Sequence, residues 1–588
     1  MNGRPARLRL RHAVVLGWLL ALAMIAAIMG AGEPRSLLRD TDDTMRAVQV
    51  LRWLDGAAWS DLSEPRLSPP EGVISHWARL PDVPIAAVIV VAEPFLGRDR
   101  ALTVAAYAVP AALLLAALAA VAWAALPYGS ATARAAPVLA AFCPPFLNKF
   151  FPGAFDHHNW QLILSALLVG AVLRIAARSA RGPTLAAAAV AGAAGLWIGG
   201  EMLPWLAVAH VALAACWCRD RAWPARRGLG AALAIAALAL PLLWIAMPAG
   251  LGVGHCDAFS PAYAAYAAAG VPFWLLLAVA ERRVANMTGR VAVAVIAAVT
   301  VAAVFVLLFP ECRAGPLGAI PPELREAWLA RVSEARGFAA LAARTPGLAV
   351  QLALLPAIGL ACSVLLATGR RADAPLWRVQ AGFLLVAAGL CFAQVRLLPF
   401  ANLFALAPAA WLLLWLWARI AALPAAGRVI ARPMLLLAFT PIPYAAILPR
   451  GEPVAPPRIC DARAVGDALA GYAGPGAPLI AAPIDIGPDL LLRTSAAVLA
   501  APYHRNVAGN MDLVRIMRAP QDEAHAIMRR RGVDFVAVCR SLSETGLYTR
   551  ANPEGLSGRL SAGDPPAWLV PVSTPADPEM RLYRVVPE

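Results

Sequence analysis

Apolar runs at 13–31, 99–126, 131–147, 159–177, 184–201, 203–217, 228–247, 264–281, 290–310, 346–368, 376–395, 400–418 and 431–448 dominate this sequence. In lipid, runs of that length can satisfy their own backbone hydrogen bonds only as helices. The fold open to the chain is therefore a polytopic α-helical membrane protein with about thirteen spans. Composition agrees, with 60% hydrophobic residues. The formal net charge of +15 would suit nucleic acid, but the basic residues sit between apolar runs, and all but Lys149 are arginine. That is the pattern of cytoplasmic loops, and it argues against a nucleic-acid partner.

The arginines also set the threading. Arg4, Arg7, Arg9 and Arg11 precede the first run, which reads as a transmembrane helix with a cytoplasmic N-terminus. A signal peptide is the competing reading, although Gly32-Glu-Pro-Arg35 lacks a small-x-small cleavage site. Arg134, then Arg174, Arg178 and Arg181, then Arg219, Arg221, Arg226 and Arg227 fall on every second loop. Arg282, Arg283 and Arg290, Arg370 and Arg371, and Arg419, Arg428 and Arg432 continue the series. Everything after about Pro449 then lies outside.

The expected organisation is a membrane domain, 1–449, with outer loops at 32–98, 148–158 and 311–345, and an extracytoplasmic α/β domain, 450–588. Pro65, Pro69, Pro70, Pro81 and Pro84 break long helices in the first loop and leave amphipathic pieces at the interface. In the tail, Pro478-Leu-Ile-Ala-Ala-Pro, Val533-Asp-Phe-Val-Ala-Val-Cys539 and Met580-Arg-Leu-Tyr-Arg-Val-Val586 read as strands, with a helix from Asp522 to Arg531. Four of the nine cysteines fall outside. Pairing Cys256 with Cys312 and Cys460 with Cys539 keeps each bridge local, while unpaired thiols fit the same spacing.

Four outward features carry candidate chemistry. Asp40-Thr-Asp42-Asp43-Thr-Met-Arg46 crowds three carboxylates that a divalent cation would reconcile; a helix N-cap with an acidic first turn fits the same letters. Asp156-His157-His158 places a carboxylate and imidazoles at a membrane boundary, where ionisable groups mark sites; a solvated loop is the plainer reading. Arg331-Val-Ser333-Glu334-Ala-Arg336 alone reads as a surface helix end. Arg396, in Gln394-Val-Arg396-Leu-Leu-Pro-Phe400, offers a fork for a phosphate headgroup or simply snorkels at the interface.

Together these residues resemble the catalytic subunit of oligosaccharyltransferases, within the C-type glycosyltransferase superfamily. The resemblance implies thirteen transmembrane helices, a cytoplasmic N-terminus and a soluble C-terminal domain outside. It implies metal ligation by Asp43, followed by Leu51-Arg-Trp-Leu54, with Asp42 and Asp40 as fallbacks. Gly153-Ala-Phe-Asp156-His157-His158 is similar to the second-loop motif, with His158 in place of the second carboxylate, as in archaeal members, and with His157 as the alternate. Val332-Ser333-Glu334 resembles the long-loop glutamate motif, and Arg396 resembles the arginine that contacts the lipid-linked pyrophosphate. The implied catalytic set is Asp43, Asp156 and Glu334, and the implied metal, Mg²⁺ or Mn²⁺, is held by Asp43, Asp156 and His158.

One departure stands out. Where the family has Trp-Trp-Asp-Tyr-Gly to bind the sequon hydroxyl, this chain has Ala482-Pro-Ile484-Asp485-Ile486-Gly487. Asp485 and Gly487 remain on the possible acceptor side, with His504 and Arg505 of Ala501-Pro-Tyr503-His504-Arg505-Asn506 nearby in sequence.

The expected function is metal-dependent transfer of a glycan from a polyprenyl-phosphate-linked donor to a protein, lipid or glycan acceptor. The setting is the outer face of a bacterial inner membrane. The lost tryptophans favour a lipid or polysaccharide acceptor as the alternative. A transporter or flippase would instead place functional charges near the midplane and show inverted repeats. A structural scaffold would leave the acid–histidine cluster unexplained.

Overall fold

The computed structural model describes residues 9–30, 37–247, 255–318, 320–369, 371–448, 460–469, 472, 476–572 and 579–587. Arg4, Arg7, Arg370 and the Gly32–Arg35 stretch lie outside the described residues, as does the 449–459 segment at the expected domain boundary. Among the described residues, ten helices are long and apolar enough to cross a membrane, judged by length and composition. The other three apolar runs also form helices, but shorter ones: Ser130–Ala140, Gly182–Ile198 and Ala425–Ala438, of 11, 17 and 14 residues. The run at 131–147 breaks at Cys143 (φ −111°, ψ 90°) because the residue before a proline, here Pro144, is pushed out of the helical region. Small residues let the spans approach closely. A Cβ on Gly17 would stand 2.6 Å from the Pro137 carbonyl oxygen, so the Leu10–Gly30 helix can seat on Ser130–Ala140 only with glycine there.

The first outer loop departs from expectation. It holds the helix Thr41–Leu54 and a second, apolar helix, Asp82–Leu96, where Pro84 argued for a break. Pro84 falls in the first turn, where its missing N–H has no intrahelical partner to lose.

The tail forms a five-stranded sheet in the order Ala497–Val498, Leu479–Ala481, Phe535–Cys539, Met580–Val585, Leu569–Val572. The first three strands are parallel, and the last two pair antiparallel. The expected helix is present as Gln521–Arg531. This domain does not finish its own core. Met45 and Val48 from the first outer helix pack with Ile486, Leu490 and Leu491, and Ile320, Leu324 and Ala327 from the long loop pack with Leu513 and Val514. The Ser68 N–H also donates to the Val498 carbonyl at 2.7 Å, and Val498 returns a bond to Arg66 at 2.8 Å. Both expected disulfides are present, Cys256–Cys312 and Cys460–Cys539. The sheet domain thus positions two outer loops over the membrane helices.

Candidate active site

Asp40 caps the Thr41–Leu54 helix, its carboxylate accepting the N–H groups of Asp42 and Asp43 at 3.0 and 2.9 Å. The capping reading is right for Asp40, and it leaves Asp43 free to turn toward the second outer loop. There Asp43 Oδ1 accepts the N–H groups of Phe155 and Asp156, both at 2.7 Å. Gly153 makes that approach possible. Its φ is +83°, and a Cβ would collide with the Leu37 carbonyl, so the loop can lie flat on the first one only with glycine. Burial, then the charges of Asp40 and Asp156, pushes the Asp43 carboxyl well above the usual carboxylate range. Asp42, half-buried, is pushed the same way by burial and by Asp156.

Asp156 sits between two imidazoles. Its Oδ1 is 2.5 Å from His157 Nδ1, and its Oδ2 is 3.2 Å from His158 Nε2. Burial acts to raise the Asp156 carboxyl, but the two imidazoles, His157 first, together with the hydrogen bond from His157 and the Arg46 charge outweigh it and hold the group well below the usual range. Burial likewise acts to lower His157, and Asp156 and Glu201 outweigh it, raising the imidazole to about 9. His157 is therefore a cation at neutral pH. The acid-rich corner also feels the fully buried guanidinium of Arg46, which pairs with Asp82 at 2.6 Å.

The proton on His158 can be assigned from its partners. Gln161 Nε2 donates to Glu201 Oε2 at 2.9 Å, since a carboxylate can only accept. Gln161 Oε1 therefore faces His158 Nδ1 at 2.9 Å, and Nδ1 must carry the proton. His158 Nε2 is left with a lone pair aimed at a carboxylate oxygen. Two such acceptors side by side suit a positive centre between them, and an imidazole oriented through its other nitrogen is the usual arrangement of a metal ligand. Ligand atoms of Asp156, His157 and His158 lie within 4.8 Å of one another. Asp43 is not among those mutually close ligand atoms; it touches the group through Oδ1, which takes both backbone bonds, and Oδ2 remains for a cation. The residues present fit a divalent metal.

The remaining expected residues divide into two groups. Arg396 lies in the turn Val395–Leu397 at the head of a span and pairs with Glu201 at 3.5 Å. The long loop is fastened beside it, Val395 N–H donating to the Arg336 carbonyl at 2.8 Å. Glu334, half-exposed, meets Lys149 at 3.7 Å. These join the Asp156 cluster. Asp485 faces solvent in the turn Ile484–Ile486. Gly487 serves packing, since a Cβ would collide with the Ala500 carbonyl. His504 and Arg505 are spent on Asp257: His504 Nε2 at 2.6 Å, and Arg505 Nε and Nη2 at 2.7 and 2.8 Å. Arg505 Nη1 also donates to the carbonyls of Ile74 and Ser75. That clasp ties the sheet domain to two outer loops, and the His76 ring lies 4.5 Å from His504.

Sequence reasoning missed Glu201, Gln161, Lys149 and Asp257 as members of these groups. Gln161 was the one with a local signal, lying one helical turn after His158.

No family model matches the chain, and no curated protein matches it. Solved structures do. The oligosaccharyltransferase AglB from Archaeoglobus fulgidus, in complex with an inhibitory peptide and a dolichol-phosphate, superposes with a TM-score of 0.69. The match covers 95% of this chain and 72% of that chain at 14% identity. The same organism's oligosaccharyltransferase with Zn and sulfate gives 0.65, over 92% and 69% of the two chains, at 15% identity. The form tethered to an acceptor peptide with an NVT sequon gives 0.66, over 94% and 71%, at 15% identity. At such identity the likeness establishes the fold.

Proposed function

We propose that this chain is a glycosyltransferase of the oligosaccharyltransferase type, moving a glycan from a polyprenyl-phosphate-linked donor to an acceptor. The reaction would take place at the outer face of a bacterial inner membrane, with the N-terminus cytoplasmic and residues 450–588 extracytoplasmic. The observation that carries this reading is the meeting of Asp43 with Asp156 across 113 positions, with His158 Nε2 on another oxygen of Asp156 and with Glu201, the partner of Arg396, 3.8 Å from His157. It occurs in a fold shared with a protein solved with dolichol-phosphate. The cluster sits at helix ends rather than at midspan, which favours transfer over transport.

Transfer forms a bond from the acceptor to the sugar's anomeric carbon as the bond to the donor phosphate oxygen breaks. Negative charge therefore grows on the phosphate. A divalent cation, Mg²⁺ or Mn²⁺, held by Asp43, Asp156 and His158 would supply charge against that phosphate and orient the acceptor. Gln161 keeps the proton on His158 Nδ1, so Nε2 stays available as a ligand. Arg396, steadied by Glu201, presents its fork to phosphate oxygens. His157 adds a cation behind Asp156, and Glu334 brings the long loop over the bound substrates.

A lipid or polysaccharide acceptor is the second reading for the same chemistry. The sequence Ala482 to Gly487 offers no aromatic platform for a peptide hydroxyl, and Gly487 is engaged in packing. Both readings are tested by intact-mass and glycan profiling of envelope proteins and lipids, from cells with the chain, without it, and with Asp156→Ala. One glycoconjugate should vanish in the second and third cases, and its class names the acceptor. An unchanged profile would overturn the assignment.

A further inference from the structure

Lys149 is the one lysine in a chain with 51 lysines and arginines, and it stands in the candidate site. It lies in the turn Asn148–Phe150, which the first outer loop clamps. Arg39 Nη1 donates to the Asn148 carbonyl at 2.5 Å, Arg39 Nη2 to the Asn148 side-chain oxygen at 2.9 Å, and the guanidinium lies 4.5 Å from the Phe151 ring. The backbone beneath Lys149 is thus held rigidly while its side chain reaches to the long loop.

The ammonium makes one contact there, to Glu334 Oε1 at 3.7 Å, which is beyond hydrogen-bond reach. Among the described residues Nζ has no hydrogen bond, yet the side chain is only 15% exposed. Three donors in a confined place are therefore unspent. Glu334 is held from several sides. Partial burial acts to raise its carboxyl, and neighbouring positive charge, that of Lys149 first, outweighs it. Lys149 meets this carboxylate directly, and the turn that carries Arg396 is bonded to the same long loop through Val395 N–H and the Arg336 carbonyl. An anion arriving at that spot would meet an ammonium and a guanidinium together. A phosphate oxygen close enough for a short charge-assisted bond would displace Glu334, which stands 3.7 Å from Lys149 without one.

We propose that Lys149 is a second cationic ligand for the phosphate of the lipid-linked donor, and that Glu334 holds its ammonium until the donor arrives. This rests on the glycosyl-transfer reading of the site. It gives the long loop a donor-dependent release, since the bound phosphate frees Glu334 for the acceptor side.

The test is binding of farnesyl phosphate to the detergent-purified full chain, followed by tryptophan fluorescence, with inorganic phosphate as a second probe. Lys149→Met should weaken farnesyl phosphate by about tenfold or more, the loss expected for a charge-assisted bond, and Lys149→Arg should weaken it far less. Glu334→Gln should tighten binding by removing the competing carboxylate, and that gain should disappear in the Lys149→Met background. Unchanged affinity in Lys149→Met, or the same Glu334→Gln gain with and without Lys149, would overturn the proposal. If Lys149→Met does not fold, Glu334→Gln decides alone, and no tightening overturns the proposal. Equal binding of inorganic phosphate would overturn assignment to a lipid donor. Failure of the wild type and Arg396→Met alike to bind farnesyl phosphate strikes the glycosyl-transfer reading. Binding lost in Arg396→Met but kept in Lys149→Met strikes only the role of Lys149.

Discussion

The Asp43 carboxylate accepts the backbone N–H of Asp156 at 2.7 Å, and through the same oxygen it accepts that of Phe155. One side chain thus joins the Thr41–Leu54 helix to the loop that carries Asp156, and places its charge beside a second carboxylate. Burial and the neighbouring acids push the Asp43 carboxyl well above its usual range even though it accepts two N–H bonds. The ionised group is under net repulsion, which the bonds only partly offset.

Asp43→Asn and Asp43→Ala should therefore behave differently. The amide oxygen of asparagine can still accept both N–H groups, and the repulsion with Asp40 and Asp156 is gone. Its melting temperature should equal or exceed that of the wild type, while transfer falls by about 10²-fold for want of a charged ligand. Alanine leaves the Asp156 N–H without an acceptor and the Phe155 N–H with only the Gly153 carbonyl at 3.0 Å, at a cost of about 1–3 kcal/mol, so it should melt lower. Thermal unfolding in detergent beside a transfer assay separates the two. An Asp43→Asn protein with full activity would remove Asp43 from the chemistry.

The parts readable in the sequence are those whose signal is local. Apolar run length marks the spans, and apolar β-type runs mark the strands at Leu479–Ala481, Phe535–Cys539 and Met580–Val585. The acid-histidine triplet announces itself by adjacency. The helix Asp82–Leu96 was hidden because a proline reads as a breaker unless its place in the first turn is known. Glu201 falls in a short turn on the expected outer side, but nothing in the sequence joins it to the site. It is a lone acid in a turn, and its partner Arg396 is 195 positions away, so no spacing rule connects them. Asp257 is similar, being 248 positions from Arg505.

Glu201 yields a second prediction, because its two oxygens do different work. Oε1 steadies Arg396 at 3.5 Å, and Oε2 fixes the Gln161 amide at 2.9 Å. Glu201→Gln retains an acceptor for Gln161 but leaves Arg396 without a carboxylate, so KM for the donor should rise by about tenfold with kcat little changed. Glu201→Ala also frees the Gln161 amide to turn. Its NH₂ would then face His158 Nδ1, the proton would move to Nε2, and the ligand would be lost. Half-saturating Mn²⁺ should rise about 10–100-fold in Glu201→Ala and much less in Glu201→Gln. Identical metal titrations for the two variants would refute the tautomer argument.

Cysteine labelling checks both the disulfides and the side of the membrane on which they form. Cys143, Cys216, Cys218, Cys362 and Cys391 are free thiols. Denaturation without reductant should expose those five to alkylation and protect Cys256, Cys312, Cys460 and Cys539, as read by mass shift. Expression in cells whose outer compartment cannot form disulfides should raise the count to nine. Four protected cysteines regardless of that compartment would contradict an outward-facing sheet domain.

The Asp257 carboxyl in the clasp should respond to acid. Burial acts to raise this carboxyl, and the bonds from Arg505 and His504 outweigh it, holding it well below the usual range. A carboxyl depressed in the folded state contributes stability that is fully present above its unfolded value, about 3.8–3.9. That stability is lost as pH falls from there toward the folded value. From about pH 5 to 8 this carboxyl should leave clasp stability flat. Asp257→Asn removes the charge at every pH and strands the Arg505 fork, 14% exposed, with carbonyl partners alone. Losing one partner of such a pair costs about 3 kcal/mol, so the variant should open faster than wild type at pH 7. The gap should narrow only below about pH 4, as the opened state takes up its proton while the folded carboxyl stays ionised. Hydrogen exchange over 74–78 and 503–506 at pH 7 and at about pH 2.5, below the unfolded carboxyl value, reads this directly. A gap between variant and wild type that stays constant with pH would mean that shape rather than charge holds the clasp.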